Sequence, residues 1–136
     1  METKITPAEI ESHFKDLEKS YDLQGLLQEC MGQTALLEEL IRLFKQNVLE
    51  FVGNVKVHLT NDDMKALGFA CHKMKSGLKM MKANGLLQIV EQLHLASKTE
   101  KDEKHMNFLY NLFIEEYTVL EKQMDSEYKR MQKEEI

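Results

Sequence analysis

The sequence predicts an all-α protein, folded as an antiparallel four-helix bundle with additional short helices at its N-terminus. The 136 residues include one proline and six glycines, and no stretch alternates β-branched with polar residues as a strand does. Several long stretches instead repeat apolar residues every three or four positions. The segments between these stretches are short, which places consecutive helices antiparallel. We therefore expect one domain over residues 1–136 with a sizeable core.

Two short helices and one long helix are predicted in the first part of the chain. A capping box at residues 6–9, with its proline at the first helical position, begins a helix over 7–19. Asp22 is placed to cap a second short helix, which stops near Gly32. From Thr34 onward the chain is strongly amphipathic, and this segment predicts a long helix that packs its apolar side into the bundle.

The helix around which the chain is organised follows a cap at residues 60–63 and covers about 61–83. Its apolar residues form one stripe, and His72 points away from the centre of that stripe. The residues that lie within about 60° of the histidine on the outward face are Lys65, Gly68, Phe69, Lys75, Ser76 and Lys79. The pattern therefore predicts an exposed imidazole among lysines and small side chains.

Two further helices complete the predicted bundle. Asn84 and Gly85 permit a positive φ and mark a break or sharp bend before a helix that ends around Lys98. The last helix begins near Asp102 and carries a near-heptad apolar stripe, which suits burial in its own bundle, so we expect a monomer. Its final residues, 129–136, are mostly polar and are expected to fray.

The composition argues against several classes of function. A net charge of −5, with lysines scattered among acidic residues, gives no support to nucleic-acid binding. The apolar runs are far shorter than the roughly 20 residues that span a bilayer, and the N-terminus has no signal-peptide core, so we expect no membrane association and a cytoplasmic location. Cys30 and Cys71 have no metal-ligand spacing and are expected to be small buried side chains.

The central motif resembles the signature of histidine phosphotransfer (HPt) domains. It reads HKMKS at residues 72–76, followed by LKMM at 78–81. In that family the acceptor histidine is followed by an apolar residue two positions on, a lysine at three and a small residue at four. The layout of residues 20–130 is similar to the family's as well. The resemblance implies the family's helical bundle, with the acceptor histidine on the central helix.

Two positions depart from the family's pattern. HPt domains often have a small residue seven positions after the histidine and a glycine at about ten, whereas this chain has Lys79 and Lys82, with the glycine displaced to Gly85. The first departure bears on how closely a partner approaches, and the second on where the central helix ends.

The resemblance implies a phosphocarrier and not an enzyme. His72 accepts a phosphoryl group from a receiver aspartate and passes it to another receiver, Lys75 stabilises the phosphoryl oxygens, and Lys79 adds to the positive field. The implied partners are receiver domains of response regulators and hybrid histidine kinases, which bring the Mg²⁺, so the carrier needs no cofactor of its own. The residues expected to dock the receiver are Lys65, Gly68, Phe69 and Ser76.

Two other functions stay open at this point. Glu91-x-x-His94 has the spacing with which bundles hold two metals, and Asp102 with His105 is a loose second copy, although both copies would have to face one interior. The stronger alternative is a helical interaction module that binds a receiver or another signalling partner without phosphate chemistry. Whether His72 becomes modified distinguishes this interaction module from the phosphocarrier. The methionine at position 1 favours a free-standing carrier over a piece of a hybrid kinase.

Overall fold

The computed structural model describes residues 21–99 and 102–134, and every regular element in these ranges is a helix. The helices are α1 (Leu23–Glu29), α2 (Thr34–Thr60), α3 (Met64–Met80), α4 (Asn84–Thr99) and α5 (Glu103–Glu134). The helix predicted over 7–19 lies outside the described residues. Among the helices of the described ranges, none has the length and apolar character needed to cross a bilayer.

Helices α2 to α5 form a four-helix bundle in which each helix packs against the next and α5 closes the ring on α2. The links from α2 to α3 and from α3 to α4 are three residues long and reverse the chain, so these neighbours run antiparallel. The α5 to α2 contact includes an ion pair of 2.6 Å between Lys45 Nζ and Asp125 Oδ1. Helix α1 packs on α2 and α5, and the N–H of Asp22 donates to the carbonyl of Met81 at 2.9 Å. The predicted bundle with a short helix before it is confirmed.

The core is one continuous cluster of apolar side chains from all five helices. Phe51 and Phe113 meet edge to face at its centre, with ring centroids 5.0 Å apart. Each large side chain buried in this way contributes about 1.5–3 kcal/mol to folding. Cys30 and Cys71 are buried within the cluster, as predicted. Because one apolar stripe of α3 is buried in this core, the opposite face of the helix lies at the surface.

Three helices begin at aspartates that cap them. Asp22, Asp63 and Asp102 each accept, through a side-chain oxygen, a hydrogen bond from the backbone N–H three residues further on, at 2.8, 3.1 and 3.2 Å. Such a cap satisfies an N–H group that has no partner inside its own helix. The starts of α1, α3 and α5 therefore follow from local chemistry, and all three lie close to the positions expected from the sequence.

The end of α3 differs from the expectation. The helix ends at Met80, and Lys82, with a φ of +53°, adopts the left-handed conformation that follows the C-cap. The N–H of Ala83 donates to the carbonyl of Leu78 at 2.9 Å, which completes a Schellman motif. The expectation of a positive φ around Gly85 was wrong, since that residue is buried inside the first turn of α4. Lysine thus ends the helix where HPt domains often have glycine.

The C-terminal part of α5 is also more ordered than expected. The helix continues to Glu134, and Met131 remains 5 % exposed at the end of the apolar stripe. The hydroxyl of Tyr128 donates to the carbonyl of Thr34 at 3.2 Å, which ties this part of α5 to the start of α2. The expectation that residues 129–134 fray was wrong, because the buried stripe extends further than their polar composition suggests.

Candidate functional site

His72 lies in the middle of α3, on the side opposite the residues that the helix buries. The buried positions are Leu67, Cys71, Met74 and Leu78, spaced by three or four residues. This spacing fixes the rotation of the helix, and the rotation turns the imidazole of His72 outward. His72 is exposed to solvent. The side chain most relevant to phosphate chemistry is thus accessible to another protein.

A groove of about 460 Å³ runs beside His72, between α3 and α4. Helix α3 contributes a face that includes the exposed Phe69, and α4 contributes polar side chains from its last two turns. The residues that border the groove are Met64, Lys65, Gly68, Phe69, His72, His94, Ser97 and Lys98. The groove is open to solvent along the side that carries the histidine, so a partner's loop has room to reach the imidazole.

Gly68 lies where α3 and α4 approach each other at this groove. A Cβ atom at position 68 would lie 3.4 Å from Ser97 Oγ and 3.6 Å from His94 Nε2. The bare backbone of Gly68 therefore leaves the Cδ2–Nε2 edge of His94 within contact distance of α3. Ser97 is occupied within its own helix, because its hydroxyl donates to the carbonyl of His94 at 2.6 Å.

Lys75 and His94 are joined across the two helices. Lys75 Nζ lies 2.9 Å from His94 Nδ1, and both side chains are half-buried. An ammonium group can only donate, so Nδ1 accepts and the neutral ring carries its proton on Nε2. Burial lowers the pKa of His94 below its ordinary value, and the positive charges of Lys75, Lys98 and His72 lower it further. The ring of His94 is therefore neutral at neutral pH.

The structure divides the predicted site residues between the two sides of α3. Lys65, Gly68 and Phe69 border the groove of His72, and Phe69 is 72 % exposed. Lys79 is exposed about two turns beyond His72. Ser76 was expected on the same docking face, but it borders a different groove, on the α2 side of the helix.

Sequence reasoning assigned no phosphotransfer role to the α4 residues of the groove, His94, Ser97 and Lys98. A signal for them exists in the spacing. His72 and His94 each lie eleven residues from Ala83, in the turn that joins α3 to α4. Residues equidistant from a tight turn lie side by side in an antiparallel pair of helices, and the ring centroids of these two histidines are 6.5 Å apart.

The alternative of a two-metal site has no support in the described ranges. Residues 21–99 and 102–134 contain no group of three or more histidines, cysteines or carboxylates placed to hold a metal ion. The two sequence copies, Glu91 with His94 and Asp102 with His105, are therefore not brought together into a ligand set. His94 directs its accepting nitrogen to the ammonium of Lys75, a cation that would oppose a metal ion there.

Comparison with protein families matches residues 39–133 to the Hpt domain. The match spans more than half of the 136 residues and includes α3 and α4 in full. No curated protein and no solved structure gives a significant match. Hpt domains are phosphocarrier modules of two-component phosphorelays that interact with receiver domains, and this chain has the helical bundle that such a module requires. The chain belongs to the Hpt domain family and has a role related to phosphotransfer in a phosphorelay.

Proposed function

We propose that His72 accepts a phosphoryl group from the aspartyl phosphate of one receiver domain and delivers it to the aspartate of another. The observation that carries the proposal is the position of His72, exposed at the middle of α3 beside an open groove, within the part of the chain that matches the Hpt domain. A ring nitrogen that faces solvent can reach a phosphorus atom held in a partner's active site. A buried histidine could not do so.

The transfer needs only a nucleophile from this chain. The lone pair of one ring nitrogen forms the N–P bond while the P–O bond to the receiver aspartate breaks, and the aspartate leaves as a carboxylate. The other ring nitrogen keeps its proton. Delivery to the second receiver reverses these bond changes. The receiver supplies Mg²⁺ and the acidic pocket that binds it, so the carrier contributes no metal ligand.

The charges around His72 suit a phosphoryl group. Lys65 from α3 and Lys98 from α4 border the groove, Lys75 lies one turn from the histidine, and Lys79 lies beyond it. Ammonium groups stabilise phosphoryl oxygens and attract the acidic active site of a receiver, although the overall charge of the chain is −5. The lysines therefore provide positive charge around His72, although the protein as a whole is negatively charged.

Receiver docking requires apolar contact as well as charge. Phe69, 72 % exposed, borders the groove one turn before His72 and offers an aromatic anchor that costs little conformational entropy to bury. Gly68 beside it borders the same groove and adds no side chain to it. The protein acts as a monomer in this proposal, because the apolar stripe of α5 is buried within its own bundle and is not left for a coiled-coil partner.

The direct test is transfer of radiolabelled phosphate from a phosphorylated receiver domain to the full chain. We expect label on the wild type that survives base and is lost in acid, as phosphohistidine is. His72→Gln should take no label, while His58→Gln, a change at the far end of α2, should be labelled like the wild type. If the folded wild type takes no label from any receiver of the same cell, the protein is an interaction module without phosphate chemistry.

A further inference from the structure

The strongest unassigned feature of the site is the contact between Lys75 and His94. Lysine carries a long flexible side chain, and an exposed lysine samples many rotamers at a cost in entropy when it is fixed. Here α4 supplies a fixed acceptor, His94 Nδ1, which is 2.9 Å from Lys75 Nζ. The contact holds the ammonium one helical turn from His72, between the two helices that form the groove.

The acceptor depends on the protonation of His94. Nδ1 accepts a hydrogen bond only while the ring is neutral, and Nε2 then carries the proton on the edge that lies near Gly68. The charged or titratable groups that act on this ring are Lys75 and His72 from α3 and Lys98 from α4. All of them disfavour a second positive charge, so the neutral, accepting form is the stable one near pH 7.

We propose that His94 is a positioning residue for phosphotransfer: as a neutral acceptor it holds the Lys75 ammonium where that group meets the phosphoryl oxygens on His72. This inference rests on the proposed function of His72. Lys75 touches the phosphoryl group and His94 acts through Lys75. When acid protonates His94, Nδ1 gains a proton, the hydrogen bond from Lys75 is lost, and the two cations repel each other.

The test compares two replacements of His94 in the full chain. In His94→Gln an amide oxygen can still accept from Lys75 and does not titrate in this range, whereas His94→Leu has similar bulk and no acceptor. Initial rates of label transfer from a phosphorylated receiver are measured near pH 7, and thermal unfolding shows that both variants are folded. We expect His94→Leu to be slower by about tenfold, the effect of losing one hydrogen bond to a charged group, and His94→Gln to remain near the wild type. Equal rates for His94→Leu and the wild type, or an equal loss in both variants, would overturn the proposal.

A pH profile separates positioning from a merely structural role. The rate of the wild type is divided by that of His94→Gln at each pH, so that effects of pH on the receiver and on the assay cancel. Because the pKa of His94 is lowered, this ratio should stay constant through neutral pH and fall only below the ordinary histidine value of about 6.5. A ratio that already falls above about pH 6.5 would also count against the proposal, because His94 would then lose its accepting form near neutral pH.

A spectroscopic measurement keeps this inference distinct from the proposed function. Long-range ¹H–¹⁵N correlation of the imidazole rings should show His94 with its proton on Nε2 in the wild type, and Lys75→Met should shift that tautomer balance. If the wild type takes no phosphate label, the proposed function fails, and so does the positioning role that rests on it, while the spectrum still establishes the pair. If His94 carries its proton on Nδ1 at neutral pH, the inference fails even though His72 is labelled.

Discussion

The two sides of α3 have different chemistry although both lie next to His72. On the α4 side the groove of about 460 Å³ is bordered by imidazole and ammonium groups, including His94 and Lys98, and no carboxylate of residues 21–99 or 102–134 borders it. On the α2 side a groove of about 150 Å³ is bordered by amides, by the hydroxyl of Ser76, by Lys73 and by the carboxylate of Glu50. A phosphoryl group is attracted to the first set and repelled by the carboxylate in the second. If His72 carries the phosphoryl group as proposed, we therefore expect that group to turn toward α4.

Substitution of the two lysines that flank His72 gives the strongest test of the difference between the two sides of α3. Lys75 is held on the α4 side by His94, whereas Lys73 borders the groove on the α2 side. We expect Lys75→Met to slow transfer to His72 by about ten- to a hundredfold, because a positioned cation at a developing charge is lost. Lys73→Met should change the rate by less than about twofold. Rapid-quench measurement of label transfer from a phosphorylated receiver gives both numbers, and similar losses in the two variants would show that the two sides of α3 are equivalent.

Local features of the sequence were sufficient to predict most of the fold. The aspartates that cap α1, α3 and α5 act within three residues of themselves, and the apolar stripe of α3 fixes its rotation, so the exposure of His72 follows from one helix alone. The sequence did not correctly predict how α3 ends. Glycine is the usual residue at a left-handed C-terminal position, but the cost for another residue is only about 1 kcal/mol, and Lys82 accepts it.

The arrangement of the site was harder to predict, because it depends on which helix lies beside each side of α3. A helical projection places Lys75 and Ser76 at similar angles from His72, on opposite sides of it. It does not show that α4 borders one and α2 the other. His94 contacts Lys75 because of how α3 and α4 are aligned along each other. The apolar periodicity of a single helix does not reveal this alignment.

Two exposed apolar side chains can test whether a receiver docks beside the groove of His72 or on another part of the surface. Phe69 is 72 % exposed beside the groove of His72, and Leu49 is 74 % exposed on α2, away from it. We expect Phe69→Ala to weaken binding of a receiver by about five- to thirtyfold, since truncating an aromatic anchor at an interface costs about 1–2 kcal/mol. Leu49→Ala should bind like the wild type. Titration calorimetry with an unphosphorylated receiver measures both affinities, and an equal loss for the two variants would place the docking surface elsewhere.

The smallest expected effects come from two glycines in the interior of α3, one on each side of the helix. A Cβ atom at Gly68 would lie 3.4 Å from Ser97 Oγ, and one at Gly77 would lie 3.5 Å from Met74 Cε, so both positions accept a methyl group at ordinary contact distance. Alanine is the better helix former, and each substitution should raise the free energy of unfolding by about 0.5–1 kcal/mol. Urea denaturation of the two variants measures this gain.

The two alanine variants should nevertheless differ in phosphotransfer. The methyl group of Gly68→Ala meets the edge of His94 at ordinary contact distance and fills space in the groove beside His72, so it should slow transfer by about two- to threefold by limiting the approach of a receiver loop. The methyl group of Gly77→Ala faces Met74 and Phe44 in the core and the groove on the α2 side, and it should leave the rate unchanged. Because both variants gain stability for the same reason, a difference in rate cannot come from folding. Equal slowing in the two variants would mean that a receiver contacts the α2 side of α3 as closely as the α4 side. The difference between the two sides would then concern the phosphoryl group and not the docking of the receiver.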